Sequence, residues 1–448
     1  NHIGAYEIRL DCVKDWSPES LSTLLQTTSL PTIFTLRSVN HGGFYKGTEA
    51  KRLELLLLAA ACQPSYIDIE DNVNNNIITL LHEKYPSVKI IRSYHHYQET
   101  PENIDNIFKS LQHPHVDLYK IVTMANNAID ALRMLQFCRA HANVNIHCLG
   151  EGFIYTRVLG HILGNTFTYT TLKNNKLSDI PCIDEFDQYR ISTLSPSSKV
   201  YALLGNPVSS SPGDQWHNQF FAQYNINATY IKIKLEPHEV DTFFRLTREF
   251  PFHGFSITMP LKQKLSTALN LTERNHAINT LAIGDNIRHC NTDGLGAIRA
   301  IQKHTSIINK KILIIGAGGS AHGILSALQK YTCETYIINR SHDKATTLSQ
   351  RFNAKVIKSI CIKSTCIKAD IIISTIPLCA QQGLIRKHKL NNLIDQNTYL
   401  LDIVHTPTTT PLIETAKTNR AKCIYGMEMF TEQAHLQQQF WGNVPPSP

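Results

Sequence analysis

The stretch Lys311–Ala345, KKILIIGAGGSAHGILSALQKYTCETYIINRSHDKA, leaves this chain few architectures to choose from. An apolar strand at Ile312–Ile315 runs into Gly316-Ala317-Gly318-Gly319-Ser320-Ala321, and a helical pattern follows. That order turns backbone N–H groups at a helix N-terminus toward a phosphate-sized opening. A second strand, Thr335–Ile338, ends in Asn339-Arg340-Ser341. An acid at that place would accept a hydrogen bond from a ribose 2′-hydroxyl, whereas arginine suits a 2′-phosphate. The segment therefore reads as an NADP(H) site held by Gly316, Ala317, Gly318, Gly319, Asn339, Arg340 and Ser341. A glycine turn without a nucleotide is the competing explanation, and the ordered strand, turn, helix and second strand weigh against it.

At 448 residues the chain exceeds one compact core, and two or three domains are expected. The net charge of +8 would fit nucleic acid, but the basic residues are scattered, and small anionic ligands account for them better. The 11 cysteines form no CxxC pair and no zinc-like spacing, Cys361 and Cys366 included, so no metal is expected and reduced thiols in a cytoplasmic protein are. The longest apolar run, Leu53–Cys62, is broken by Glu54 and too short to span a bilayer. Oligomeric state is not legible.

From Tyr6 to about Tyr189, seven short apolar strands (YEIRL, TIFTLR, YIDIE, KIIRSYH, VDLYKIVT, VNIHCLG, FTYTT) alternate with helices such as Ala50–Cys62, Glu102–Leu111 and Ala128–His141. This alternation means parallel strands with helical crossovers, in a closed barrel or an open sheet, and seven visible strands favour a TIM (β/α)8 barrel lacking its first. Barrel chemistry sits at the C-terminal strand ends. Glu7 and Arg9 share one face of the first strand, Arg37 ends the second and His95 closes KIIRSYH. Lys120 is unusual, lying inside VDLYKIVT with no neighbouring acid except Asp117. An ammonium there loses hydration, which favours the nucleophilic amine that a Schiff base needs. A structural lysine paired with Asp117 or a glutamate on the barrel floor is the alternative.

The motifs EIRLD (7–11), FTLRS (34–38), SYHHYQETP (93–101), DLYKI (117–121) and GFIYTRVLG (152–160) resemble type I 3-dehydroquinate dehydratase over nearly this whole segment. The resemblance implies an imine between Lys120 and the C3 ketone of 3-dehydroquinate, with His95 moving the protons. It implies Arg157 on the substrate carboxylate, Glu7, Arg9 and Arg37 as hydroxyl-binding and orienting groups, and a structural His96. Two places depart from the family. His41 stands where a glutamate is usual, and the covering loop reads Lys176-Leu177-Ser178-Asp179-Ile180, so lid contacts should change the Michaelis constant more than the chemistry.

Ser192–Lys199, small and polar, reads as a linker, and a new strand starts at Val200. The expected division is 1–190 barrel, 191–199 linker, 200–296 substrate lobe, 297–425 Rossmann NADP-binding domain and 426–448 C-terminal helix. GNPVSSSPGDQWHN (205–218), SITMPLKQK (256–264), HAINTL (276–281) and NTDGLG (291–296) place polar side chains at strand ends and turns, where ordinary capping would explain each one alone.

With the nucleotide segment, these motifs resemble shikimate dehydrogenase across 200–441. The resemblance implies Lys262 and Asp293 as the catalytic pair, Ser211, Thr258, Asn279 and Gln433 as substrate binders, and NADPH as reductant of 3-dehydroshikimate. Departures are Gly213 for a serine, Ser256 for an asparagine and His405 for a tyrosine. The two halves would make and then reduce one intermediate, as in the fused enzymes of the shikimate pathway. The alternatives are a dehydrogenase whose barrel is a scaffold or regulatory module, or a binding protein that has lost turnover.

Overall fold

The structure, a computed structural model, describes residues 3–172, 180–262, 265, 277–357, 367–388 and 390–444. By its internal contacts the chain divides into two compact units. The first is residues 1–198 with two short pieces, 227–229 and 242–251, and the second is the remainder.

The first unit is built on six strands in sequential order: β1 (Tyr6–Arg9), β2 (Thr32–Thr35), β3 (Tyr66–Glu70), β4 (Lys89–His96), β5 (Leu118–Met124) and β6 (Val144–Leu149). Every neighbouring pair is parallel. Helices Pro18–Gln26, Glu49–Ala61, Asn75–Lys84, Ile104–Leu111 and Ala128–Ala140 make the crossovers. Local chemistry sets their starts: the Ser17, Thr48 and Asn127 side chains each accept an N–H of the first turn. This is the curled parallel sheet of a TIM-like α/β fold.

The FTYTT segment, expected as a seventh strand, forms no ladder; only Thr171 makes an isolated bridge, to Cys182. The reason is a side chain. Asn145 of β6 accepts from Thr166 N (2.7 Å) and donates to Phe167 O (3.3 Å), taking up the backbone groups that a strand partner would have used. Phe167 and Tyr169 instead turn under the sheet, onto Ile33, Ile91 and Leu118.

In the second unit, β7 (Lys199–Gly205), β8 (Ala228–Lys234), β9 (Phe252–Ile257), β10 (Thr280–Ala282) and β11 (Arg288–Cys290) form a sheet of order β11-β10-β9-β7-β8. A second sheet of order β14-β13-β12-β15-β16-β17 comprises β12 (Lys311–Ile315), β13 (Glu334–Ile338), β14 (Lys355–Val356), β15 (Ile371–Ser374), β16 (Tyr399–Asp402) and β17 (Lys422–Tyr425). Its pairs are all parallel. Ile312 and Ile314 enter one buried cluster while Leu313 and Ile315 enter the other, so both faces are covered, as a doubly wound sheet requires. The terminal helix Gly426–Phe440 reaches the first of these sheets: Gln437 donates to Thr280 Oγ1 (3.0 Å) and Trp441 Nε1 to Leu281 O (2.8 Å).

Candidate active sites

The parallel register decides which side chains share the barrel interior. Partners across a ladder point the same way and alternate along a strand. Ser93, Lys120 and Asn145 form one row on β4, β5 and β6, and His95, Val122 and His147 form the next row toward the C-terminal ends. Lys120 is buried, its Nζ 3.4 Å from Glu7 Oε1 and 3.4 Å from Asp68 Oδ2, with the Tyr169 ring centroid 4.0 Å away. The neighbouring acid is therefore not Asp117, which accepts from Ile90 N (2.8 Å). Two carboxylates face the amine, which corrects the expectation of surroundings without acids.

Asp68 is the hub that motif reading passed over. It accepts from Arg37 Nη2 (2.8 Å) and Ser93 Oγ (2.6 Å), and these partners with Lys120 hold its carboxyl below the usual range although burial pushes it up. Arg37 also donates to Ser93 Oγ (2.8 Å) and lies 3.2 Å from His95 Nδ1. Glu7 accepts from Thr35 Oγ1 (2.9 Å), and Glu70 ties Arg52 to Ser38. Arg9 forks onto Asp11 instead, at 2.9 and 2.6 Å. Arg157, on the helix Tyr155–Leu163 that follows β6, donates to Tyr169 O (3.3 Å). His41 lies 3.4 Å from Asp71, and Lys176 falls outside the described residues.

Burial, then the charges of Arg37 and Lys120, push His95 well below its ordinary value. A lowered histidine stays neutral, and so able to accept a proton, to more acid pH. The acid limb of kcat/KM for the barrel's reaction, which reports the free enzyme, is therefore expected well below pH 6.5. Initial rates at substrate well below KM between pH 4 and 9 check this, and a limb at or above 6.5 would assign the proton transfer to another group.

The second cluster centres on Asp293, the first residue of helix Asp293–Gln302. Its carboxylate pairs with Lys262 and accepts from Asn279 Nδ2 (2.7 Å) and Ser320 Oγ (3.2 Å). Asn279 also donates to Thr292 Oγ1 (2.9 Å) and lies 3.5 Å from Gln433 Oε1. A glycine explains the approach to the nucleotide turn: a Cβ at Gly294 would lie 2.1 Å from Gly323 O, so only glycine lets these two helices close. Ser320, absent from the expected set, is brought in by that packing, its Oγ 3.4 Å from Lys262 Nζ. Thr258 abuts Gly205, and Ser211 Oγ accepts from Gly213 N (3.2 Å) in the turn before the helix Gly213–Gln223, so neither joins the hydrogen bonds around Asp293 among the described residues. Ser256 donates to Gln437 Oε1 (3.1 Å), and His405 packs on Phe430, pushed down by burial and by Lys232.

The glycine turn fits a pyrophosphate. Gly316 has φ +117°, and a Cβ there would meet Thr375 Oγ1 at 2.3 Å; at Gly318 a Cβ would meet nothing within 4 Å, and helix Gly319–Leu328 starts directly after it. At the end of β13, Asn339 Nδ2 donates to Ser341 O (2.9 Å), Arg340 is exposed, and the Ser341 hydroxyl makes no capping bond to the helix it precedes. No group of three or more potential metal ligands occurs among the described residues, and no helix there is long and apolar enough to cross a membrane.

Residues 2–189 match the family model of type I 3-dehydroquinase, 203–281 that of the shikimate dehydrogenase substrate binding domain and 299–424 that of shikimate / quinate 5-dehydrogenase. The chloroplastic bifunctional 3-dehydroquinate dehydratase/shikimate dehydrogenase of Arabidopsis thaliana is 28% identical, over 98% of this chain and 77% of that one. The shikimate biosynthesis protein AroDE of Chlamydia muridarum is 30% identical over 85% of this chain and 79% of its own length. Shikimate dehydrogenase of Aquifex aeolicus, with TM-score 0.50 and 23% identity over 56% of this chain and 94% of its own, shares the fold of the second half. With both model families in one chain and in the order of these fused relatives, the chain belongs to the bifunctional type I 3-dehydroquinate dehydratase/shikimate dehydrogenase family.

Proposed function

We propose that the barrel dehydrates 3-dehydroquinate through Lys120 and His95, and that the second unit reduces the product, 3-dehydroshikimate, through Lys262 and Asp293 with NADPH. The observation that carries this reading is the Lys120 amine held inside the barrel by Glu7 and Asp68, with Arg37 linking it to His95.

The carboxylates around Lys120 can take up the proton it must lose before attack. The amine then adds to the C3 ketone, and water leaves as the imine forms. His95 accepts the C2 proton that the imine acidifies. The C1–O bond breaks, His95 returns that proton to the departing hydroxyl, and hydrolysis frees Lys120. A neutral histidine suits the first transfer; once protonated beside Arg37 it is a strong acid for the second. Arg157 would hold the substrate carboxylate, and Glu7, Arg9 and Arg37 would orient its hydroxyls.

In the second unit the nicotinamide cofactor supplies the hydride. Lys262 and Asp293, fixed by Asn279 and Ser320, donate to and protonate the oxygen on which charge develops. Thr258, Asn279, Gln433 and Ser211 complete the substrate lobe in this reading. The turn Gly316-Ala317-Gly318-Gly319 would hold the pyrophosphate, and Asn339, Arg340 and Ser341 the 2′-phosphate. Arg340→Ala is expected to raise KM for NADPH about 10- to 100-fold while leaving NADH kinetics unchanged, because one charge-assisted contact is lost. Equal effects on both nucleotides would remove Arg340 from the phosphate site. A cytoplasmic setting fits both reactions.

Mixing the protein with 3-dehydroquinate and NADPH and following nicotinamide absorbance tests the whole reading, since only two working sites consume the nucleotide. Consumption from 3-dehydroshikimate but not from 3-dehydroquinate would leave the barrel without its assigned reaction.

A further inference from the structure

His147 is the buried polar group that the proposed mechanism leaves unused. It lies on β6 in the same inward row as His95, one strand beyond Val122, and is 1% exposed. Neither ring nitrogen has a hydrogen-bond partner among the described residues. Its ring meets Tyr169 edge-on at 5.3 Å, and the Tyr169 hydroxyl is likewise buried without a partner. The charges that reach it are those of Arg157 and Lys120. Burying an imidazole with both nitrogens unpaired is costly, and such groups are normally satisfied by something else at the site.

We propose that His147 is a further substrate-binding residue of the dehydratase site, donating a hydrogen bond to the carboxylate of 3-dehydroquinate beside Arg157. The inference rests on the proposed roles of Lys120, His95 and Arg157. Lys120 pins C3 in the row below, and His95 reaches C2 from β4. Strands stand about 4.8 Å apart, so His95 and His147, with Val122 between them, stand side by side in one row with backbones roughly 10 Å apart, enough for a six-membered ring to lie along both. Since β6 leads directly into the helix that carries Arg157, the carboxylate-bearing C1 is the substrate end on that side. Neutral imidazole supplies one donor there and adds no charge to a row already facing two cations.

His147→Met replaces the ring by an apolar side chain of similar reach, His147→Asn keeps polarity but is too short, and His147→Gln restores a donor at about the original distance. Expected are a KM for 3-dehydroquinate raised about tenfold in the Met and Asn variants, kcat changed less than threefold, and most of the KM recovered in the Gln variant. The melting temperature of ligand-free H147M should equal or exceed that of the parent, because an unsatisfied buried group has been removed. A KM unchanged in both the Met and Asn variants, or a Gln variant as impaired as Met, overturns the assignment. Borohydride treatment of the parent with substrate separates the two levels of the argument. No adduct on Lys120 overturns the mechanism beneath; an adduct together with an unchanged KM in H147M and H147N overturns the role of His147 alone.

Discussion

Replacing Lys120 by methionine or by arginine is expected to lower dehydratase turnover by at least about 10⁴-fold, because the covalent route through the imine is lost and proton transfer alone does not replace it. The two variants separate chemistry from structure. Methionine removes the charge facing Glu7 and Asp68, and breaking a buried ion pair costs about 3–5 kcal/mol, although Arg37 continues to neutralise Asp68. Arginine keeps a cation and cannot form the imine at neutral pH, so it should retain more stability with the same loss of turnover. Borohydride with substrate should increase the mass of the parent and leave both variants unchanged. Reduction of 3-dehydroshikimate by the same proteins should stay within about twofold of the parent, since the residues proposed for it lie in the other compact unit. A K120R variant that still dehydrates would show that the lysine only orients substrate.

Lys120 stood out in the chain as a cation inside an apolar strand and His95 as the end of another, whereas Lys262 and Asp293, in turns that ordinary capping would explain, stood out only through the resemblance. Their partners were legible only in part. Asp68 and Glu70 alternate with Ile67 and Ile69 in YIDIE, so two acids on one strand face were visible; that Asp68 would reach both Arg37 and Lys120 depends on the register of β2, β3 and β5, which no local pattern states. Tyr169 could not be placed, because its segment takes its course from an amide on β6 and not from its own alternation. Ser320 sits in plain view among the glycines, yet its role comes from the contact that Gly294 and Gly323 permit between two helices. Ser211 could be read two ways, toward a carboxylate or as ordinary capping, and its hydroxyl accepts from Gly213 N, a bond that does not use its own O–H proton.

Asp293→Asn, Lys262→Met and the double variant should each lower kcat for 3-dehydroshikimate reduction about 10²- to 10³-fold, with the double variant no worse than about threefold below either single one. The shared hydrogen bonds dictate that non-additivity. Lys262 and Ser320 both meet Asp293 Oδ2 while Asn279 holds Oδ1, so removing either charge frees the other from the position in which it faces the developing alkoxide. Asparagine keeps an acceptor for Asn279 but offers the lysine a neutral partner, and methionine leaves a buried carboxylate to the neutral donors Asn279 and Ser320. KM for NADPH should change little, since the 2′-phosphate and pyrophosphate residues proposed here make no part of the pair. Dehydration in the barrel should be unaffected. The measurement is a cycle of four proteins under saturating nucleotide: losses that multiply in the double variant would mean that lysine and aspartate act at separate steps, and the reading of them as one proton-relaying pair would have to be given up.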